Sequence, residues 1–189
     1  MDREKAWNLL CKYTKTESLR KHSLAVEAAM RYYADFYRED IELWGVTGLL
    51  HDFDYEKYPD AENHPYRGNE ILEEEGYPVE MRQAIMGHAS YIGVTRDSLM
   101  AKTLFAVDEL TGFIIAVALV RPSKSILDVK PKSVKKKFKT KSFAAKIDRE
   151  EIKQGIEELR VDETEHIQRV IDAMKTIADD LGLAGEKEQ

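Results

Sequence analysis

The run Gly48-Leu49-Leu50-His51-Asp52 decides how this chain is read. It closes a segment that begins at Asp40, whose carboxylate suits a helix N-cap, and passes through Ile41, Leu43, Trp44, Val46, Leu49 and Leu50. That spacing predicts a helix with a buried stripe. The helix should end in the stretch Asp52–Pro59, where acids and aromatics replace the apolar residues. An imidazole and a carboxylate thus stand together at the end of an oily helix. Neighbours on a helix point about 100° apart, yet at a fraying C-terminus both can turn toward one centre.

Outward from this point the same period persists. Residues 2–13 read as a short helix, and 17–37 as a longer one with Thr16 as N-cap. Leu19, Val26, Ala29, Met30, Tyr33 and Phe36 form the buried side of the longer helix. Pro65 suits the first turn of a fourth helix that stops at Gly76, and Pro78 opens a fifth that runs to about His88. Asp97 or Ser98 caps a sixth helix, which reaches about Val120 before Pro122 ends it. Two more begin at Asp148 and Asp162, each with a glutamate three residues on (Glu151, Glu165), the pattern of a capping box with Asp as cap. With only 5 Pro and 10 Gly, and no alternating stretch long enough to found a sheet, the fold class is all-α.

Composition narrows the function. The 189 residues are 43% hydrophobic and 34% charged, enough to pack one core. The net charge of −6 argues against a general nucleic-acid coat. From Arg121 to Lys146, however, ten basic residues face one acid, a local +9 that leaves −15 elsewhere. One cysteine, Cys11, excludes an internal disulfide and a cysteine-based zinc cluster. The charged start Met1–Lys5 leads into no apolar signal region, and the longest apolar run, Phe113–Val120, is eight residues. The expectation is a cytoplasmic protein without a membrane partner. Long helices and exposed aromatics leave room for a homodimer.

Chemistry is carried by polar residues on apolar faces. His22 shares a face with Ala25, Val26, Ala29 and Tyr33, and Asp108 lies in the run Thr103–Val120 whose only charges are Asp108 and Glu109. The next turn's Thr111 and Ile115 place Asp108 inward. A buried carboxylate costs several kcal/mol unless protonated, paired or bound to a metal. Each residue alone is more simply a satisfied core group or a cap. The order His22, His51-Asp52, Asp108 across separate helices points instead to mixed N and O donors for a divalent cation such as Fe, Mn, Ni, Zn or Mg. His166, with Glu163, Val170 and Lys175 around it, reads as a surface histidine.

Helical His22, then Leu49-Leu50-His51-Asp52, then Asp108 late in an apolar helix resembles the HD-domain superfamily of metal-dependent phosphohydrolases, over roughly residues 17–120. His64, in His64-Pro65-Tyr66-Arg67-Gly68, and His88 resemble the further ligands of its HDIG-type branch. The resemblance implies a helical bundle with a C-terminal helical extension, in which His22, His51, Asp52 and Asp108 surround one divalent metal. His64 and His88 would hold a second metal, with Asp52 between the two, or face substrate phosphate. Where that branch has Ile-Gly-Lys after His-Asp, this chain has Phe53-Asp54-Tyr55. Asp54 or Glu56 is the candidate to steer the attacking water. Gly76-Tyr77-Pro78 is read as a helix stop followed by a helix start.

The expected organisation is an HD-type domain over 1–120, a basic connecting segment over 121–147, C-terminal helices over 148–183 packed on the same domain, and a flexible tail from 184 to 189. The expected activity is hydrolysis of a small phosphorylated substrate, with a nucleotide as one option, by metal-activated water attacking phosphorus. Arg121, Lys136 and Lys137 are candidates to bind its phosphate, as a flap in which Val134 and Phe138 form the apolar edge of a short helix. The alternative is a catalytically silent HD-like ligand-binding domain, or an RNA-associated one using residues 121–146 with Phe138 and Phe143 interleaved for stacking. Tyr55, Tyr58 and Tyr66 are placed at the pocket rim.

Overall fold

The computed structural model describes residues 1–185. In chain order the helices are α1 (Arg3–Tyr13), α2 (Glu17–Tyr37), α3 (Ile41–Leu50), α4 (Tyr66–Glu74), α5 (Val79–His88), α6 (Leu99–Leu119), α7 (Pro131–Phe138), α8 (Arg149–Leu159), α9 (Glu163–Lys175) and α10 (Ala178–Leu181). Single 3₁₀ turns lie at Ser90–Ile92 and Ile126–Asp128. The described residues contain no strand, only an isolated antiparallel bridge between Ser125 and Ala184. None of their helices is long and apolar enough to cross a membrane.

The helices start where short acceptors stand. Asp40 accepts from the Glu42 and Leu43 amides, Ser98 from Ala101, Asp148 from Glu150 and Glu151, and Asp162 from Thr164 and Glu165. Each satisfies amides that have no partner within the helix. Thr16 occupies the cap position of α2 without capping it, because its hydroxyl bonds Glu56 at 3.1 Å.

Helix α6 is the axis. It is apolar almost all round, as a helix buried on most sides must be, with Leu104, Leu110, Phe113 and Ile114 fully enclosed. Helices α2, α3, α5, α7, α8 and α9 all touch it. The closest approach is at α8: a Cβ on Gly155 would lie 2.6 Å from the Ala106 Cα, so the two backbones pack directly.

Several expectations need correction. Phe36 was placed on the buried side of α2 but is 50% exposed, with the Arg169 guanidinium 4.2 Å from its ring centre. His166 is not a surface residue. It is fully buried on the face made by Ile167, Val170, Ile171 and Met174, where its Nε2–H donates to the Ala106 carbonyl at 2.9 Å and its Nδ1 accepts from the Tyr33 hydroxyl. Burial lowers its pKa to about 4. The charged neighbours Glu163 and Lys175 had obscured that face.

Phe138 and Phe143 do not await a base. They stack on and abut Phe113, with centroids 4.4 and 5.4 Å away. Ala184 and Gly185 are not a loose tail, since the Ile126 amide donates to the Leu183 carbonyl at 2.8 Å and the Ser125 hydroxyl to Ala184 at 3.1 Å. The remainder of the expected tail, 186–189, lies outside the described residues.

The Gly155 contact yields a prediction. Alanine is the better helix former by about 1 kcal/mol, yet Gly155→Ala should destabilise the fold by about 1–3 kcal/mol in a denaturant titration because the added methyl has no room. An unchanged or raised midpoint would show that α8 is free to lift from α6.

Candidate metal centre

Five separate segments deliver six side chains to one place. His22 comes from α2, His51 and Asp52 from the end of α3, His64 from the loop before α4, His88 from the last residue of α5, and Asp108 from α6. They fall into two triads, His22/His51/Asp108 and Asp52/His64/His88, with ligand atoms in each within 4.8 Å of one another. His51 lies beneath, fully buried, while the other five line a cavity of about 400 Å³.

The orientation of the rings is the informative part. His51 Nδ1–H donates to the Gly48 carbonyl at 2.8 Å, His88 Nδ1–H to the Ile85 carbonyl, and His64 Nδ1–H to Asp54 Oδ1 at 2.9 Å. His22 Nδ1 lies 3.4 Å from the Thr111 hydroxyl, which itself donates to the Asp108 carbonyl. A ring whose Nδ1 donates presents a lone pair at Nε2.

All four Nε2 atoms converge on carboxylate oxygen. His22 Nε2 is 2.9 Å and His51 Nε2 3.3 Å from Asp108 Oδ1. His64 and His88 Nε2 are 3.1 and 3.0 Å from Asp52 Oδ1, and 3.4 Å from each other. Asp52 Oδ2 turns the other way, 3.7 Å from His51 Nε2.

A lone pair aimed at an anionic oxygen is repulsive unless a proton or a metal cation stands between. His51 Nε2 makes the case most sharply, since it is buried and has no hydrogen-bond partner. Without a cation the cluster must hold protons. Burial pulls the His51 pKa down, but the carboxylates of Asp108 and Asp52 outweigh it and raise it to about 9. His64 is likewise raised to about 9, Asp52 and Asp54 overcoming its burial. Burial pushes Asp52 and Asp108 up, yet the opposing imidazoles, His51 foremost, hold both well below the ordinary carboxylate range. Nitrogens each anchored through the other ring atom, with carboxylates between them, are what a divalent ion requires.

The remaining candidates are placed differently. Asp54 is buried with both oxygens in use, Oδ1 by His64 and Oδ2 by the Gly68 amide at 2.9 Å. A Cβ on Gly68 would fall 2.7 Å from that carboxyl carbon. Asp54 therefore positions His64 and, buried and absent from the cavity wall, is not placed to steer water there. Glu56 accepts from the Lys15 and Thr16 amides at 2.7 and 3.0 Å and ties down the entry to α2, outside the cavity.

Arg121, Lys136 and Lys137 do not line the cavity either. Arg121 reaches Ser133, Lys136 is exposed, and Lys137 sits over the Phe143 ring at 4.7 Å. The buried Val134 and the half-buried Phe138 anchor α7 against the core, and Lys135 ties it to Glu163 at 2.6 Å. Of the three tyrosines expected at the rim, Tyr55 lines the cavity and Tyr58 and Tyr66 do not.

Sequence reasoning missed Ser90, Tyr91, Glu109 and Glu151, all in the cavity wall. The sequence places Asp108 inward, and the structure puts both Asp108 and Glu109 in the cavity wall. Burial, then Asp108 and Glu151, push Glu109 up to about 8. Glu151 had been read as part of a capping box, whereas its carboxylate accepts from the Ser90 hydroxyl.

With this geometry in place, comparison of the sequence with family models matches the HD domain at residues 19–112. The chain belongs to the HD-domain family. HD domains are in general metal-dependent hydrolases, and all six converging residues of this one fall inside the match. Comparison with curated proteins and with solved structures found no match.

The centre predicts a pH signature. In metal-free protein, the raised imidazoles His51 and His64 contribute stability that is complete below their ordinary value near 6.5 and is lost as pH rises through about 9. The depressed carboxylates Asp52 and Asp108 contribute stability that is lost as pH falls below their ordinary range. Urea titrations should therefore show an alkaline decline between pH 6.5 and 9 that saturating Mn²⁺ removes. A decline untouched by metal would place the titrating groups elsewhere.

Proposed function

We propose that this HD domain is a phosphohydrolase of small phosphorylated substrates, in which two divalent ions activate water for attack on phosphorus. One observation supports it above the others: the orphaned His51 Nε2 and three further imidazole lone pairs converge on Asp52 and Asp108. His22, His51 and Asp108 would hold one ion, and His64 and His88 the second. Asp52, with Oδ1 toward one triad and Oδ2 toward the other, would bridge them. Bound there, divalent ions supply hydroxide near neutral pH and neutralise charge on phosphoryl oxygens. The N and O donor set suits Fe, Mn, Ni, Zn or Mg.

The chain's own part is positioning. Asp54, fixed by the Gly68 amide, holds the His64 ring in one tautomer. The Tyr91 hydroxyl donates to the His64 carbonyl at 2.9 Å and ties the rim to the ligand loop. Cys11 lies outside the cavity, so a covalent route through a thiol has no support. The RNA-associated reading gains nothing from the structure, because Phe138 and Phe143 are spent on Phe113.

The test is hydrolysis of p-nitrophenyl phosphate and of its bis ester with Mn²⁺, Ni²⁺, Co²⁺ or Mg²⁺. Activity should vanish in chelator. His51→Ala and Asp108→Ala should each lose bound metal by elemental analysis and at least about 100-fold in rate. Activity that persists in chelator, or full metal retention in both variants, would contradict the proposal.

A further inference from the structure

We infer that the site takes substrates with a single phosphoryl group, and that the Glu151 carboxylate turns away a second. The inference rests on the reading above and adds the substrate's charge to it.

The first observation is what the cavity lacks. Among the described residues that line it there is no lysine or arginine. Outside the two triads its polar wall is made of Glu109, Glu151, Ser90, Tyr55 and Tyr91. Two divalent ions against the carboxylates of Asp52 and Asp108 would leave two positive charges, which one phosphoryl dianion matches. A further phosphoryl group would meet the Glu151 carboxylate, with no cationic side chain in the wall beside it. Sites for di- and triphosphates need such cations, since each added group brings charge that must be compensated. The tyrosines offer the opposite character. Tyr55 and Tyr91, 41% and 57% exposed, give ring faces to an uncharged organic portion of the substrate.

The second observation is that Glu151 is held at the wall. Asp148 caps the start of α8 through the Glu150 and Glu151 amides. Gly155 seats the helix on the Ala106 backbone. Arg96 clamps Glu158 with two bonds of 2.7 Å, joining the loop after α5 to α8, and the Ser90 hydroxyl of the same loop holds the Glu151 carboxylate. Helix α8 lies beyond residues 19–112, so this charge belongs to the chain's own extension and not to the matched domain. The lysines of α7 offer no compensation, as Lys135 is paired with Glu163 and none of Lys132, Lys136 and Lys137 lines the cavity.

The experiment is calorimetric binding of inorganic phosphate and of pyrophosphate, at saturating Mn²⁺, to the full chain and to Glu151→Gln and Glu151→Lys. Each affinity is corrected for chelation of free Mn²⁺ by the anion, measured in protein-free buffer, so that phosphate and pyrophosphate compare within one protein as well as between proteins. Wild type should bind phosphate at least about tenfold more tightly than pyrophosphate. Glu151→Lys should shift that ratio at least about tenfold toward pyrophosphate, and Glu151→Gln by less, with Mn²⁺ content unchanged in each. Equal or tighter pyrophosphate binding by wild type, or a ratio indifferent to Glu151→Lys, overturns the inference. Hydrolysis of p-nitrophenyl phosphate by the same samples separates the two claims. Turnover with unselective anion binding removes the charge filter and leaves the phosphohydrolase standing; no turnover and no anion binding removes both.

Discussion

Four imidazole lone pairs pointing at two carboxylates is the constraint on which this molecule turns. Left bare, the arrangement is unfavourable, and the protein meets the cost by holding protons on His51 and His64 well above their usual range. A divalent cation in each triad would convert the same geometry from repulsive to attractive, with no side chain needing to find a new anchor. The anchors are independent of the ion: the Gly48 and Ile85 carbonyls, the Asp54 carboxylate and the Thr111 hydroxyl each face the far nitrogen of a ring.

The bundle exists to hold those anchors still. Two of them are helix carbonyls three residues before the histidine they receive, at the C-terminal ends of α3 and α5 where such oxygens lack helical partners. The same helix ends that would otherwise leave unsatisfied acceptors thus orient the ligands. Asp108 enters from α6, the axis of the bundle, and α8, seated on Ala106 of α6 through Gly155, brings Glu151 to the same cavity.

Most helices, and His22, His51, Asp52 and Asp108, were legible in the sequence because they left a local mark, whereas His64 and His88 were legible only through the family resemblance. Asp40, Ser98, Asp148 and Asp162 announce helix starts by chemistry that acts within three residues. His22, His51 and Asp108 stand out because they interrupt apolar runs. What escaped was set by distance. The partners of Asp54 lie 10 and 14 residues away and those of Glu56 about 40, so nothing near them says what their oxygens hold. The basic segment announced a charge, but Phe113 on α6 decides where its phenylalanines go. Glu151 satisfied a local pattern so well that its second role, accepting from the Ser90 hydroxyl in the cavity wall, left no trace.

The most direct measurement is anomalous X-ray scattering at the Mn edge from crystals grown with Mn²⁺. The account predicts one peak within bonding reach of His22, His51 and Asp108, and a second within reach of Asp52, His64 and His88. Density showing both triads empty at saturating Mn²⁺, with His51 Nε2 still facing Asp108 unaccompanied, would contradict it.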